Sequence, residues 1–323
     1  MGATPWWPFT FFWLKKEGIS TFSAPEKIAK FFGVLLGDLG FEGLKDEEAI
    51  THQLFSIKKV LFIQDIIVFN NKLKKDKLEI ERIIGYGNAG LNTRMLHGNV
   101  FNIIIRNLGK NIAERFFAFC KDNRFIPFVN YYDSQRFGIP GSSFSTYLVG
   151  KAIVEGKWEK AFSELKRAKD SSIDCKLFNS KQNSKNKFLQ FFKNIDFKKV
   201  SFFVSSYNSF LWNNQASLSI KKSGGTRKHH FENIGRLSLP FSLGCNIPNL
   251  FSIDGYSFIE QKFIATRERF TRNLIVTTTV FPLEISKDEF HKKKYQLTIS
   301  FFLPTGCYAT MLIKQIFLKI YDK

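Results

Sequence analysis

One aspartate stands out as a candidate for chemistry, Asp46, which ends the turn-like sequence Gly43-Leu44-Lys45-Asp46. Glu47 and Glu48 follow, and acidic residues are typical of the first turn of a helix, so a helix is expected to begin at Asp46. The backbone N–H groups and the dipole of such a helix start favour an ionised carboxylate. A fixed, ionised carboxylate beside Lys45 suits a nucleophile or an electrostatic role at an electron-poor centre. Taken alone, the pattern favours a simple helix cap over a catalytic role, and the rest of the chain decides between them.

The balance of charge indicates the kind of partner. The chain of 323 residues has a formal net charge of +20 and a pI near 9.7, and 44% of its residues are hydrophobic. A globular protein this basic is expected to bind a polyanion, and nucleic acid is favoured because no lysine-rich amphipathic helix suggests a membrane surface. An alternative explanation for part of the lysine excess is a compositional bias of the chain. The length suggests about two domains.

Metal chemistry and secretion are not indicated. The four cysteines lie far apart in the sequence, and the adjacent pair His229-His230 has no cysteine or acid at ligand spacing, so no metal site is expected. Scattered thiols fit a reducing compartment. The apolar opening, 1–14, has neither a basic leader nor a cleavage site and is interrupted by proline, so it is expected to enter the fold as a strand. These features predict a soluble, cytoplasmic protein without a membrane segment.

Hydrophobic patterning predicts an α+β protein. The β-branched and aromatic run 99–108 has the character of a central strand, and 130–138 is a polar and aromatic loop. The segment 169–235 is rich in Ser, Asn and Lys and is expected to be less regular, with Arg227 to His230 in a solvated or phosphate-facing loop. The remaining predicted elements are strands at 10–15, 52–57, 274–281 and 295–303, helices at 23–32, 111–123 and 146–167, and a final strand, Pro-Gly turn and helix.

Four separated segments form a joint pattern. They are Gly43 to Asp46 with Ala49 to Gln53, His97 to Phe101 with Ile105 to Leu108, Asn130 to Tyr132 with Gln135 to Gly138, and Leu303 to Gly306 with Tyr308 to Leu312. Each is modest alone, but their order and spacing together resemble the TruD family of pseudouridine synthases. The resemblance covers most of the chain outside its middle.

The resemblance implies a fold and an activity. The fold would be a pseudouridine-synthase-like α+β core with a mixed or antiparallel sheet, built from 1–150 and 266–323 and interrupted by an inserted α/β RNA-binding domain at 151–265. The activity would be isomerisation of a uridine in tRNA, at uridine 13, with Asp46 as the nucleophile and without a cofactor. The expected partner is tRNA, with other structured RNA left open, and the expected state is a monomer.

The resemblance and the residue types together give candidate site residues. Asn130 falls on the asparagine that lines the family's active site, and its alternative is an Asx turn. Tyr132 and Phe137 could supply the aromatic platform that an unstacked base requires, or could be core residues. Lys45 and Arg136 are the two candidates for the cation that lowers the pKa of Asp46.

Further basic residues are candidates for contacts with RNA. Arg106 ends an apolar strand, so it is expected either to face RNA or to pair with a buried carboxylate. The other candidate phosphate contacts are Lys15, Lys16, Arg94, Arg227 and Lys228.

The chain also departs from the family pattern. Family members usually begin with an extended segment whose Phe packs on the target base, and this sequence starts near the strand that follows it. Tyr132 stands where the family favours Phe, and Glu42 replaces a small residue before Gly43. An alternative function is therefore a catalytically impaired or truncated RNA-binding protein of the same fold.

Overall fold

The computed structural model describes residues 7–19, 23–41, 49–92, 96–138, 143, 145–168, 186–241 and 247–321. The chain divides into two compact units, Met1–His97 and Gly98–Lys323. Helices and antiparallel strands occur in both units, so the predicted α+β class is confirmed. In the part of the chain that the structure describes, no helix combines the length and apolar character needed to cross a membrane.

Unit 1 is an antiparallel sheet with two helices. Its elements are β1 (Phe9–Glu17), α1 (Ser23–Phe32), β2 (Leu39–Phe41), β3 (Ile50–Ile57), α2 (Ile63–Leu73) and β4 (Leu78–Gly87). The sheet order is β2-β3-β1-β4, with β1 paired along its length to both β3 and β4. One face of β1 packs with both helices in a core that includes Phe12, Phe55 and Phe69. The strands predicted near 10–15 and 52–57 and the helix ending at Phe32 are confirmed.

The alternation of β1 separates two adjacent lysines. Successive side chains of a strand point to opposite faces, so Lys16 lies on the same buried face as Phe12 and Leu14, whereas Lys15 lies on the other face. Lys16 has no exposed surface, and its Nζ donates a hydrogen bond to the carbonyl of Ile19 at 2.7 Å. The predicted phosphate contact at Lys16 is therefore contradicted by its burial.

The helix expected to begin at Asp46 does not extend to Ile50. β3 begins at Ile50, and its first residues pair with Glu17 and Lys16 of β1. The run beginning Ile50-Thr51-His52 favours a strand, and β1 supplies its partner. Asp46, Glu47 and Glu48 lie outside the described residues, so an ionised Asp46 at a helix start stays a prediction.

Unit 2 begins with a second antiparallel sheet. Its strands are β5 (Gly98–Leu108), β12 (Val280–Lys287) and β13 (Tyr295–Pro304), in the order β12-β13-β5, so β13 is central and the prediction of a central strand at 99–108 is wrong for this sheet. The helices α3 (Lys110–Asp122) and α8 (Ala309–Tyr321) pack on one face of this sheet, and Phe116, Ile299 and Ile316 lie in the shared core. The predicted helix at 111–123 and the final strand, turn and helix are confirmed.

The middle of unit 2 is more regular than its composition suggests. It contains α4 (Thr146–Val154), α5 (Trp158–Ala168), α6 (Lys187–Lys193), the 26-residue α7 (Phe197–Lys222), and two antiparallel hairpins, β7 (Thr226–Phe231) with β8 (Gly235–Pro240) and β9 (Leu250–Ile259) with β10 (Ile264–Asn273). The single helix predicted at 146–167 is in fact two, because Gly156 adopts φ +68° between them. The loop predicted for Arg227 to His230 is the strand β7.

The middle segment and the surrounding motifs share a hydrophobic core. Val129, Tyr131 and Met311 pack in one cluster with Trp212 of α7 and Leu237 of β8. Removing the middle segment would therefore expose apolar surface of the flanking motifs. The predicted boundaries at 150 and 266 stay a prediction.

The short strand β6 (Ile126–Val129) leads into the polar and aromatic loop. On one edge it pairs with β11 (Ile275–Thr278). On the other edge, the side chain of Gln315 from α8 replaces a partner strand, since it accepts from the Val129 N–H at 2.9 Å and donates to the Val129 carbonyl at 2.8 Å. Gln315 is 4% exposed, so water does not substitute easily for these hydrogen bonds.

We expect Gln315→Leu to lower the free energy of unfolding by about 2–4 kcal/mol, because two buried backbone groups lose their partners. The measurement is the denaturant midpoint followed by tryptophan fluorescence. Gln190→Leu, at an exposed position of α6, is the matched control and should leave the midpoint nearly unchanged. Equal midpoints for Gln315→Leu and the wild type would contradict the structural role of Gln315.

Candidate active site

Three of the predicted site residues, Lys45, Asp46 and Arg94, lie outside the described residues. The role of Asp46 as the nucleophile and that of Lys45 as its cation partner therefore stay predictions. The remaining candidates lie on described segments, and most of them belong to unit 2.

Three of the four motif segments converge within unit 2. Gly98 pairs with Pro304, and a Cβ at Gly98 would lie 2.3 Å from the carbonyl oxygen of Leu303, so only glycine fits this crossing. Arg272, at the end of β10, donates to the carbonyls of Asn130 at 2.8 Å and Gly306 at 2.9 Å. One guanidinium thus joins the Asn130 motif to the Leu-Pro-Thr-Gly motif.

Asn130 carries a buried acceptor without a partner. Its backbone N–H donates to the carbonyl of Leu274 at 2.8 Å, and its Nδ2 donates to the carbonyl of Asn273 at 3.1 Å. The side chain is 3% exposed, and its Oδ1 has no hydrogen-bond partner among the described residues. A buried amide oxygen without a donor is costly in a folded protein, so this atom is a candidate for contact with a ligand.

Tyr132 is fixed by α7 and covered by a cation. Asn213 accepts from the Tyr132 N–H and donates to the Tyr132 carbonyl, each at 2.9 Å. The Arg272 guanidinium carbon lies 3.8 Å from the Tyr132 ring centroid, and the rings of Trp212 and Tyr308 contact Tyr132 edge-on. The ring is partly buried, and the guanidinium covers one of its faces.

Among the described residues, two guanidinium groups in this cluster hydrogen-bond to neutral partners alone. Arg136 donates to the hydroxyls of Ser205 and Ser209 of α7, and Arg272 donates to two backbone carbonyls. No carboxylate among the described residues pairs with either arginine. Their charges oppose the effect of burial, which nevertheless raises the pKa of Tyr308 to about 12. The cluster therefore combines two uncompensated positive charges with an unpaired acceptor.

Phe137 does not belong to an accessible surface. It is 2% exposed, and its ring packs edge-on against Tyr147 of α4. Its predicted role as a platform for a base is contradicted, since it is a core residue.

The structure resolves the two alternatives for Arg106. Its guanidinium lies 3.6 Å from the carboxylate of Asp288, whose side chain has no exposed surface, and 3.5 Å from that of Glu289. It also donates to the side chain of Gln296. Arg106 therefore pairs with a buried carboxylate, and its predicted direct contact with RNA is contradicted.

The other predicted RNA contacts lie at the surface. Lys15 is 3.7 Å from Glu79 on the neighbouring strand, with 40% of its side chain exposed. Arg227 and Lys228 are exposed on β7. These positions are compatible with phosphate contacts, which stay predictions.

Metal ligation has no support among the described residues, because no three His, Cys, Asp or Glu side chains group as ligands there.

Burial raises the pKa of Cys120 to about 12 and that of Cys307 to about 11, so both thiols stay protonated near neutral pH.

The sequence interpretation missed Arg272, Asn213, Trp212 and Tyr308 as members of this cluster. Arg272 lies in the run Thr266-Arg267-Glu268-Arg269-Phe270-Thr271-Arg272, where nothing local distinguishes it from two other arginines. Tyr308 belongs to the fourth motif segment but had no assigned role. Its position two residues after Gly306 of that motif was the sequence signal that could have identified it as a site residue.

Comparison with known proteins identifies the family. The sequence model of the family described as tRNA pseudouridine synthase D (TruD) matches residues 5–172, more than half of the chain. A Methanococcus maripaludis protein named "Probable tRNA pseudouridine synthase D 1" is 27% identical over 94% of this chain and 92% of its own length. The tRNA pseudouridine synthase D of Aquifex aeolicus is 24% identical over 96% of this chain and 91% of its own length.

A solved structure shares the fold. A crystal structure described as that of the "Putative tRNA pseudouridine synthase D (TruD)" from Methanosarcina mazei matches with a TM-score of 0.56 at 17% identity, over 96% of this chain and 88% of its own. Together with the family match, the convergence of three motif segments in unit 2 gives one conclusion. The chain belongs to the TruD family of tRNA pseudouridine synthases.

Proposed function

We propose that this protein isomerises a uridine in tRNA to pseudouridine, at uridine 13, with Asp46 as the nucleophile. The observation that carries the proposal is the cluster around Asn130, in which an unpaired buried acceptor lies among motif residues and two uncompensated arginines. The family match supports the reaction class, and the Gly-Leu-Lys-Asp motif supports the choice of Asp46.

The reaction requires few chemical groups. The bond between N1 of the base and C1′ of the ribose breaks, the uracil turns, and C5 forms a new bond to C1′. The proton lost from C5 is balanced by one gained at N1, so the reaction is an isomerisation without net oxidation. An ionised Asp46 can add to the sugar or the base, or stabilise positive charge while the base is detached.

The residues of unit 2 suit recognition of the target nucleotide. The unpaired Oδ1 of Asn130 can accept a hydrogen bond from the N3–H of uracil, a donor that cytosine lacks at that position. Arg136 and Arg272 can stabilise negative charge of the RNA backbone or of the detached uracil, because no carboxylate in the described residues neutralises them. Tyr308 stays protonated and can donate.

We expect Asp46→Asn and Asp46→Ala to lower turnover by on the order of a thousand-fold or more, with little change in affinity for tRNA, because the nucleophile is removed while the basic residues remain. Carbodiimide mapping of modified uridines in transcribed tRNA measures turnover. Both variants are needed, because deamidation of the introduced asparagine would restore the nucleophile.

Asp122→Asn is the control, since Asp122 is an exposed residue at the end of α3. It should retain wild-type turnover. Near-normal turnover in Asp46→Ala would remove Asp46 from the mechanism, and modification at a different uridine in the wild type would overturn the assignment to uridine 13.

We expect Asn130→Ala to lower kcat by about 10- to 100-fold with a smaller effect on KM, the cost of one lost hydrogen bond that orients the base. Asn70→Ala is the matched control, because Asn70 is a part-buried asparagine of unit 1. Its side-chain amide forms hydrogen bonds with the N–H and the carbonyl of Ile80. The control should lower stability while the folded protein keeps its kcat. Equal kcat losses in the two variants would make the role of Asn130 structural.

Arg272 has a distinct expected effect. Arg272→Met should lower kcat by about 10- to 100-fold, because two carbonyls and the Tyr132 ring lose the group that positions them, whereas Arg272→Lys should recover part of the loss. Steady-state kinetics with transcribed tRNA make the comparison. Arg269→Met, at an exposed position of the same strand, should behave as wild type. Wild-type kcat in Arg272→Met would contradict the positioning role.

A further inference from the structure

The loop that joins β12 to β13, residues 288–294, is held by one buried carboxylate. Asp288 accepts hydrogen bonds from the N–H groups of Asn107 at 2.6 Å, Phe290 at 2.9 Å and His291 at 3.2 Å. The Asp288 N–H donates to the Lys294 carbonyl at 3.0 Å and closes the loop. Burial acts to raise the pKa of Asp288, but the hydrogen bonds outweigh it and hold that pKa well below its usual range. The carboxylate is therefore ionised at any physiological pH, and the loop is preorganised.

This loop presents an aromatic ring to solvent. Phe290 is 74% exposed, and the Arg106 guanidinium carbon lies 4.6 Å from its ring centroid. Arg106 is itself fixed by Asp288 and Gln296. Most of the Phe290 ring is left unused by packing within the fold, and it lies on a hydrogen-bonded loop beside a fixed cation. Such a ring can stack on an unpaired base at small entropic cost.

Four lysines lie close to Phe290 in the sequence. The lysines Lys287, Lys292, Lys293 and Lys294 are exposed, and none has a carboxylate partner among the described residues. The two acids of the loop, Asp288 and Glu289, both lie beside Arg106, and the four lysines together with Arg106 outnumber these acids by five to two. The loop thus combines an aromatic platform with uncompensated positive charge, which is the combination that single-stranded nucleic acid requires.

We propose that the loop 288–294 is an RNA-binding element in which Phe290 stacks on an unpaired nucleotide and Lys292 and Lys293 contact the adjacent phosphates. The inference rests on the proposed tRNA substrate but assigns a contact outside the cluster around Asn130. A membrane surface fits less well, because Phe290 is the single apolar residue among 287–294 and interfacial insertion needs a larger apolar area.

Two full-length variants separate the two kinds of contact. Phe290→Ala should weaken binding of transcribed tRNA by about 5- to 100-fold, the range for one lost base–aromatic stack, at every salt concentration. Lys292→Gln with Lys293→Gln should instead reduce the slope of log affinity against log salt by about 1.4 to 1.8, the effect of two lost phosphate contacts. Phe290→Trp should bind at least as tightly as the wild type.

Phe281→Ala is the matched control, because Phe281 is 57% exposed on the neighbouring strand β12 and no cation of the described residues lies over its ring. It should bind tRNA as the wild type does. Wild-type affinity in Phe290→Ala, or an unchanged salt slope in the double lysine variant, would overturn the proposal.

The proposal would also be overturned if Phe290→Ala lowered retention on phosphatidylserine vesicles and left tRNA affinity unchanged. These affinities are measured without turnover, so an inactive wild type would count against the proposed function and leave this test intact.

Discussion

The candidate site depends on how the buried segment from Pro127 to Tyr132 satisfies its backbone. The segment lies in the interior, where each N–H and carbonyl needs a partner. One edge pairs with β11, but no described strand pairs with the other. Side chains replace it. Lys319 donates to the carbonyl of Pro127. The side chains of Gln315, Arg272 and Asn213 form hydrogen bonds with backbone groups of Val129, Asn130 and Tyr132, respectively. The position of Asn130 is therefore set by groups from α7, α8 and β10.

The electrostatic character of the site follows from the same arrangement. Arg272 is held by carbonyl oxygens and Arg136 by serine hydroxyls, so both arginines are oriented without being neutralised by a described carboxylate. Arg106 is the contrasting case, because Asp288 and Glu289 lie beside it. A sequence shows three arginines of equal formal charge. The structure distinguishes those whose charge remains available from the one whose charge is compensated within the fold.

The sequence predicted local features well where one pattern dominated. The strand β1, the helix α3 and the final strand, turn and helix follow clear periodicity. The prediction failed at α7, because its buried face includes Ser206, Ser209, Asn213 and Ser217 as well as apolar residues, so no apolar stripe marks it. It failed for Lys16 because aromatic residues occupy both faces of β1 and conceal which face is buried. Arg272 could not be assigned, since its partners are distant in sequence.

The non-local origin of these hydrogen bonds has a consequence for biosynthesis. The partners of Val129 and Tyr132 are separated from them by 186 and 81 residues, and that of Asn130 by 142 residues. Contacts of such long range form late, because the loops between them must close first. During synthesis, the ribosome will have released Asp46 and the whole middle segment before Gln315 emerges to pair with Val129. A nascent chain thus carries most of its positive charge well before it can complete the cluster around Asn130.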